Sequence, residues 1–235
     1  MAELNDTDLI NDANLEAYYR YEGNFNDSSG EGRNGSGNDS PASLNPGKFG
    51  QAYDWDGDND NVQSTITGET PFASAWTMTC WVKPDSSGEG SGSDNGYIMA
   101  LEGKSFIQIA NVDGSTFKLK FVQAFSGANG SWSTDNFVLS TGSWQMVTVV
   151  YNGSSVNNNP IIYVNGISRS ITETATPSGS VETSTTFNVG NNQNTGVRTF
   201  DGGIDDVALF SRALTQSEIS LLADTVGGLT MAGEI

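Results

Sequence analysis

The segment from Tyr18 to Asn34, reading YYRYEGNFNDSSGEGRN, brings oxygen-bearing side chains together at the end of a predicted strand. Glu22 follows the aromatic strand, and Asp27 stands in the loop of asparagine, serine and glycine behind it. A loop of this composition can turn several backbone carbonyls towards one point. Because carboxylates and carbonyls are the ligands that calcium prefers, the segment predicts a cation site.

A second acidic pair, Asp205 and Asp206 in FDGGIDDVALF, lies near the other end of the chain. If the first and last strands are neighbours, one cation can join the two acidic segments. Strand alternation puts Asp205 and Asp206 on opposite faces, so we expect one of them to coordinate, and we favour Asp205. The alternative is that Asp27-Ser28-Ser29-Gly30 forms a turn that caps its own backbone.

A third acidic run, Asp54–Asp60 (DWDGDND), superficially resembles an EF-hand calcium loop. It lacks the distal glutamate and the flanking helices of that motif. We therefore predict a strand and tight turn that form a hairpin here, in preference to a second metal site.

The catalytic residues that most hydrolases use are missing from the sequence. There is no histidine, which excludes triads and zinc sites built on imidazole. No strand carries the closely spaced Glu-x-Asp-x-Glu carboxylates of glucanases, since Glu69 and Glu102 each stand alone. Cys80 lies in the apolar strand WTMTCWV, so we expect a buried and inert thiol. We predict a protein without catalytic activity.

Trp132, in the polar segment SGANGSWSTDN, is the best candidate for an aromatic platform on which a sugar ring could stack. Polar and aromatic residues of other segments are expected to line the same rim: Asn95, Tyr97, Asn129, Asp135, Asn192 and Arg198. The alternative is that Trp132 begins a strand and is buried. Trp81 is a further candidate for the exposed face of a sheet.

The chain of 235 residues fits one domain, which we place at 18–225 between a polar lead-in (1–17) and a tail (226–235). Because residues 1–14 and 226–235 contain few apolar side chains, the domain is expected to tolerate their loss.

With 10 basic and 28 acidic residues the net charge is −18, which excludes nucleic acid as a natural partner. We find no signal-peptide pattern and no apolar run long enough to span a membrane.

The predicted elements are nearly all strands. In SAWTMTCWVKP, Trp76, Met78, Cys80 and Val82 alternate with polar or aromatic residues, which predicts a strand with these four in the core. Asn165-Gly166 between apolar runs predicts a two-residue hairpin turn. The segment Thr215–Glu218 forms a capping box, which predicts one short helix near the C-terminus. A short helical turn is also expected near residues 8–15. The pattern favours two antiparallel sheets packed face to face.

Several segments occur in the order and spacing of laminin-G-like domains, which belong to the concanavalin A-like lectin and glucanase superfamily. They are YYRYEGNFNDSSGEGRNG, GKFGQAYDWDGDND, WTMTCWVKP, GSWQMVTVVYNG, YVNG and FDGGIDDVALFSRALTQSEI. The chain resembles that family from Leu9 to Leu222. The resemblance implies a jelly-roll sandwich with a structural calcium that joins the first-strand loop to the last strand. Carried over to this sequence, the implied ligands are Glu22, Asn24, Asp27, Asn34 and Asp205.

Two functions follow from these expectations. The first is a non-catalytic, calcium-stabilised, lectin-like module that recognises a glycan or a cell surface and serves in adhesion. The second is a structural accessory that decorates a larger particle, such as a virion capsid or tail, through contacts with another protein. Both place the chain outside a cell or on the surface of a particle.

Overall fold

The computed structural model describes residues 3–38, 41–44, 46–66, 72, 74–90, 94–191 and 198–223. They form two antiparallel sheets that pack face to face, together with one α-helix and two short 3-10 helices. The predicted all-β jelly-roll sandwich with one C-terminal helix is confirmed. No helix in these residues is long and apolar enough to cross a membrane.

Sheet I holds eight strands. In spatial order they are β14 (Ile167–Arg169), β13 (Ile161–Val164), β12 (Gln145–Asn152), β6 (Ala75–Pro84), β17 (Asp201–Phe210), β4 (Ala52–Asp56) and β3 (Ala42–Leu44), with β1 (Leu15–Tyr19) paired to β17. The helices are Leu4–Asp6, Asp8–Asn11 and α1 (Gln216–Ala223). The early helical turn is therefore a 3-10 helix, and it ends before Leu15, where β1 begins.

Sheet II holds nine strands. In spatial order they are β15 (Ile171–Ala175), β10 (Gly130–Thr134), β9 (Thr116–Gln123), β8 (Ser105–Asp113), β7 (Tyr97–Leu101), β16 (Thr186–Val189), β5 (Asn61–Thr65) and β2 (Ser36–Asn38), with β11 (Leu139–Ser140) paired to β9.

The predicted alternation of β6 sets the core between the sheets. Trp76, Met78, Cys80 and Val82 are each at most 1% exposed and belong to the main apolar cluster. The Asn165-Gly166 turn is also confirmed, since both residues have positive φ and join β13 to β14.

The acidic run Asp54–Asp60 forms the predicted strand and tight turn, but the predicted hairpin was wrong, because β4 and β5 do not pair with each other. Strand β4 belongs to sheet I and the next strand, β5, belongs to sheet II. The turn therefore carries the chain from one sheet to the other. Within it Asp60 accepts a hydrogen bond from the amide of Asp56, and Asp56 accepts one from the amide of Asp58.

The outer face of sheet I is covered by a second apolar cluster, which we call the covering layer. It contains Leu4, Leu9, Leu15, Tyr18, Trp81, Met146, Val150, Tyr163, Ala208, Phe210, Leu214, Ile219, Leu222 and Ala223. Trp81 is 4% exposed beneath this layer, so its assignment to an exposed sheet face was wrong. The expected tolerance to loss of residues 1–14 was also wrong, because Leu4 and Leu9 are buried in the same layer. Residues 226–235 lie outside the described residues.

Arg212 joins the two ends of the covering layer. Its Nε donates to Oδ2 of Asp12 at 2.7 Å, and its Nη1 donates to Oε2 of Glu218 at 3.0 Å. Glu218 also accepts from the amide of Thr215, which confirms the capping box at the start of α1. Burial would raise the pKa of Asp12, but hydrogen bonds from Arg212 and Asn14 lower it to about 2. The hydrogen bond from Arg212 likewise lowers the pKa of Glu218 to about 2.

Replacing Met78 with aspartate should cost more than about 4 kcal/mol of folding free energy, because an unpaired carboxylate would be buried between the sheets. Met78→Leu keeps the volume and should cost less than about 1.5 kcal/mol. Urea unfolding of both variants measures the difference. Equal stabilities would contradict the register assigned to β6.

Arg212→Gln should destabilise the protein by about 1–3 kcal/mol at neutral pH, because it leaves two carboxylates without their partner. Both carboxyl pKa values are lowered in the folded state, so this stabilisation is present above their ordinary values of 3.8 and 4.5. It should disappear as the pH falls towards about 2. Urea unfolding between pH 7 and pH 2.5 measures the gap between wild type and variant.

The matched control is Arg169→Gln, because Arg169 donates to the carbonyl of Val164 and forms no ion pair with a carboxylate in the described part of the chain. Its gap from wild type should not change with acid. A gap for Arg212→Gln that stays constant to pH 2.5 would show that the ion pairs do not stabilise the covering layer.

Candidate functional site

A groove of about 460 Å³ crosses the outer face of sheet II. Strand β9 forms its floor, and residues of β8, β10 and β15 form its sides. The lining residues are Asn111, Lys118, Lys120, Ser133, Thr134, Asp135, Thr172 and Thr174. All of them carry hydrogen-bonding groups, in contrast to the apolar layer that covers sheet I.

The floor of the groove follows from the alternation of β9. Phe117, Leu119 and Phe121 point into the core and are at most 1% exposed. Lys118 and Lys120 therefore point outwards, and neighbouring outward residues of a strand stand about 7 Å apart. Both ammonium groups thus reach the same groove.

A β-bulge in β8 shapes one side of the groove. The pairing of β8 with β9 shifts register between Ala110 and Val112, and Asn111 between them has a φ of 40°. Asparagine tolerates this left-handed conformation better than most residues. The bulge aims the Asn111 side chain into the groove, as bulges near binding sites often do.

The opposite side of the groove is made of hydroxyl groups. Ser133 on β10 pairs with Thr172 on β15, and Thr174 donates to Oγ of Ser131 at 2.9 Å. Thr172 donates to Oδ1 of Asp135 at 2.7 Å, which turns this carboxylate towards β15.

The two lysines have different partners. Nζ of Lys118 donates to the main-chain oxygen of Asp135 at 2.7 Å and lies 5.6 Å from the centre of the Phe137 ring. Nζ of Lys120 forms an ion pair with Oδ1 of Asp94 at 2.8 Å. Lys120 is thus anchored by a carboxylate, whereas Lys118 is held by a neutral carbonyl.

Asp94 extends the polar surface beyond the groove. Besides Lys120, it accepts from Nε2 of Gln108 at 2.7 Å and lies 3.5 Å from Nη1 of Arg198. Burial would raise the pKa of Asp94, but the hydrogen bonds from Lys120 and Gln108 lower it. The Arg198 guanidinium also stands 5.8 Å from the centre of the Tyr97 ring.

Trp132 does not form the predicted platform. Its side chain is 1% exposed, stacks on Phe121 in the core and donates from Nε1 to Asn159 at 2.8 Å. The alternation of β10 explains this, because Ser131 and Ser133 take the outward positions. The alternative prediction, in which Trp132 belongs to a buried strand, is confirmed.

Phe137 is the aromatic residue that sequence reasoning missed. It follows β10, is 42% exposed and is the only aromatic among the exposed large apolar residues described. Its ring lies 5.6 Å from Nζ of Lys118, although Phe137 is not one of the lining residues of the groove. The signal in the sequence was weak, because nothing in DNFVL marks Phe137 as more exposed than Val138 or Leu139.

The other predicted rim residues do not all line the groove. Asp135 lines the groove, and Arg198 reaches it through Asp94. Asn95 and Tyr97 lie beside Asp94 but are only 2% and 6% exposed. Asn129 is exposed, accepts from the amide of Phe125 and is not among the groove residues. Asn192 lies outside the described residues.

The predicted calcium ligands fall into two groups. Oε2 of Glu22 accepts from the amide of Gln51 at 3.2 Å, and Oδ2 of Asp205 accepts from the amide of Phe49 at 2.9 Å. The two carboxylates therefore flank one short loop, and the intervening Gly50 has a φ of 43°. A Cβ on Gly50 would lie 2.0 Å from Oε1 of Glu22, so glycine permits this approach.

The second group forms a self-contained turn. Asp27 accepts from the amides of Tyr18, Ser29 and Arg33 and from the hydroxyl of Ser29. Asn34 accepts from the amide of Asp27, and Asn24 accepts from the amide of Asn26. These oxygens stabilise the loop itself, which confirms the turn predicted as the alternative. Asn24, Asp27 and Asn34 thus accept hydrogen bonds from their own loop, whereas Glu22 and Asp205 accept from amides of the loop at residues 49–51.

Asp205 and Asp206 lie at a bulge in β17, where Asp206 has a φ of 51°. Because the bulge breaks strand alternation, their expected placement on opposite faces was wrong. Both carboxylates meet residues at the covering layer, Asp205 at Phe49 and Asp206 at the hydroxyl of Tyr18. Burial raises the pKa of Asp205 to about 8 and that of Asp206 to about 7. No group of three or more acidic or cysteine side chains in the described residues is arranged as a metal site.

Comparison with protein families gives one match to a large part of the chain. A laminin-G-type model described as the concanavalin A-like lectin/glucanases superfamily matches residues 56–220. The match begins after the first-strand loop, so Glu22 and its neighbours lie outside it. A search of curated protein sequences gave no significant match.

Solved structures with the same fold include domain 4 of AbnA, a GH43 extracellular arabinanase from Geobacillus stearothermophilus, in complex with arabinotriose. It has a TM-score of 0.63 and 20% identity, over 89% of this chain and 98% of that one. The binding domain of botulinum neurotoxin DC, in complex with SialylT, has a TM-score of 0.62 and 16% identity over 92% of this chain and 52% of that one. The same toxin domain is also known in complex with rat synaptotagmin II. That structure has a TM-score of 0.63 and 16% identity over 92% of this chain and 52% of that one.

Proposed function

The chain belongs to the laminin-G-like group of the concanavalin A-like lectin/glucanases superfamily, and on that basis we propose that it is a non-catalytic, lectin-like module that binds carbohydrate. The binding site is the groove of sheet II. The observation that carries the proposal is a groove lined by hydrogen-bonding side chains, with the exposed ring of Phe137 5.6 Å from Nζ of the lining residue Lys118.

This combination suits a sugar. A sugar ring presents hydroxyl groups at its edge, which amide, hydroxyl, ammonium and carboxylate groups can recognise, and a C–H face that packs on an aromatic ring. Asn111, Asp135 and Thr172 supply polar groups of different kinds within one groove. Phe137 supplies the apolar surface that Trp132 was expected to supply.

The structural neighbours support this reading. One of them is an arabinanase domain solved with arabinotriose, and another is a toxin binding domain solved with SialylT. The chain spans nearly the whole of the former and about half of the latter.

A binding role without catalysis agrees with the groove chemistry. Glycoside hydrolysis by retaining or inverting enzymes uses two carboxyl groups placed about 5–10 Å apart across the bond that breaks. Among the described lining residues, Asp135 is the only carboxylate. Asp94 lies nearby, but an ion pair with Lys120 engages it and lowers its pKa, which is unsuitable for a general acid.

We propose calcium as a structural ion at Glu22 and Asp205. Asp205 is fully buried and accepts hydrogen bonds from the backbone amides of Phe49 and Asp206. A divalent cation would displace the proton that burial favours on this carboxyl and would tie the loop at residues 49–51 to β17. Binding of a cell-surface glycan by such a module would make it an adhesion domain that acts outside a cell or on a particle surface.

Phe137→Ala should weaken carbohydrate binding by about 1–2 kcal/mol without changing the melting temperature, because it removes an exposed ring. A glycan array identifies a ligand, and calorimetry with that ligand measures the dissociation constant. Leu221→Ala is the control, since Leu221 is 45% exposed on α1. This helix packs on the outer face of sheet I, away from the groove on sheet II. An array without any binding would overturn the proposal, and unchanged affinity in Phe137→Ala would move the site away from the groove.

Calcium should raise the melting temperature of the wild type by ligand linkage, with a stabilisation of about RT ln(1 + [Ca]/Kd). The double variant Glu22→Gln/Asp205→Asn should lose this response and keep the fold. Glu31→Gln/Asp58→Asn makes the same changes at two exposed acids and should keep the response. A chelator-insensitive melting temperature in the wild type would rule out the ion.

A further inference from the structure

The groove has the opposite charge balance from the rest of the chain. The sequence contains 10 basic and 28 acidic residues, a net charge of −18. The charged lining residues are two cations, Lys118 and Lys120, and one carboxylate, Asp135. The lining therefore has an excess of one positive charge on a strongly acidic protein.

The excess charge resides on Lys118. Asp94 is shared by Lys120 and Arg198, and Asp135 is turned towards the hydroxyl of Thr172. Among the described residues, no carboxylate forms an ion pair with Lys118, and its ammonium donates to the neutral main-chain oxygen of Asp135. An ammonium has three N–H donors, so two remain for a ligand.

The groups around Lys118 suit an anionic group on a sugar. Phe137 lies near the ammonium, the neutral Asn111 borders the same groove, and the carboxylate of Asp135 accepts a hydrogen bond from Thr172. Lysine acts as a point charge and accepts either a carboxylate or a sulfate, whereas arginine would favour a planar, bidentate partner. The hydroxyls of Ser133, Thr172 and Thr174 remain to bind the neutral part of the ligand.

We infer that the groove selects glycans that carry an acidic sugar, with the anionic group of that sugar against Nζ of Lys118. The inference rests on the proposed function and adds the ligand class to it. It also explains how a chain with a charge of −18 can hold an anion, since the attraction is local and the long-range repulsion is screened within about 8–10 Å at physiological salt.

The test is a glycan array in which every acidic glycan stands beside its neutral counterpart. Uronic acid oligomers are paired with their methyl esters, sialylated glycans with desialylated ones, and sulfated glycans with desulfated ones. We expect binding to at least one acidic member and at least tenfold weaker binding to its neutral counterpart, since a charge-assisted hydrogen bond is lost. The type of pair that responds identifies carboxylate or sulfate as the anion.

The variant Lys118→Met should remove the preference, so that the affinity ratio between the acidic member and its neutral counterpart falls from at least tenfold to about one. Lys104→Met is the control, because Lys104 pairs with Glu182 away from the groove. Equal binding of both members, or an unchanged preference in Lys118→Met, would overturn the inference and leave the proposed function standing. Binding to no glycan at all would overturn both.

Discussion

Strand β17 changes partner along one of its edges, and much of the molecule depends on how this change is accommodated. Its first half pairs with β4 and its second half with β1, while its other edge pairs with β6. Asp205 and Asp206 stand where the partner changes, at a bulge with positive φ at Asp206. The carboxylates leave the regular ladder there and bond to Phe49 and Tyr18. The buried Asp205 thus connects β17 to the loop at Phe49, and the buried Asp206 connects β17 to Tyr18 of β1.

The two sheets differ in what covers their outer faces. On sheet I, Trp81 is sealed beneath the 3-10 helices and α1. On sheet II, the corresponding outward positions of β9 hold Lys118 and Lys120, whose charged groups are stable in contact with water. The sandwich therefore has one face devoted to stability and one available to a ligand. Ion pairs to Arg212 fasten the first of these faces at both ends.

The sequence predicted what depends on local pattern. Three such patterns each involve only a few neighbouring residues. They are the alternation of Trp76, Met78, Cys80 and Val82, the Asn165-Gly166 turn and the helix capping box from Thr215 to Glu218. The bulges at Asn111 and Asp206 depend on pairing with distant strands, so alternation alone could not locate them.

Side-chain exposure was the least predictable property. Trp132 and Phe137 stand five positions apart in a polar segment, and composition favoured the tryptophan as the exposed ring. The register of β10 with β9 decides otherwise, because it turns Trp132 towards Phe121 and leaves Phe137 beyond the strand end. A ligand residue on a sheet can be assigned only after its neighbours are known.

The covering layer also fixes the direction in which the domain can be presented. Leu4 and Ala223, near the two ends of the described chain, are both buried in this layer on the outside of sheet I. The groove is on the outside of sheet II, across the full thickness of the sandwich. The described part of the chain therefore begins and ends on the side of the sandwich that faces away from the groove. A ligand in the groove would be separated from both of these buried ends by the two sheets.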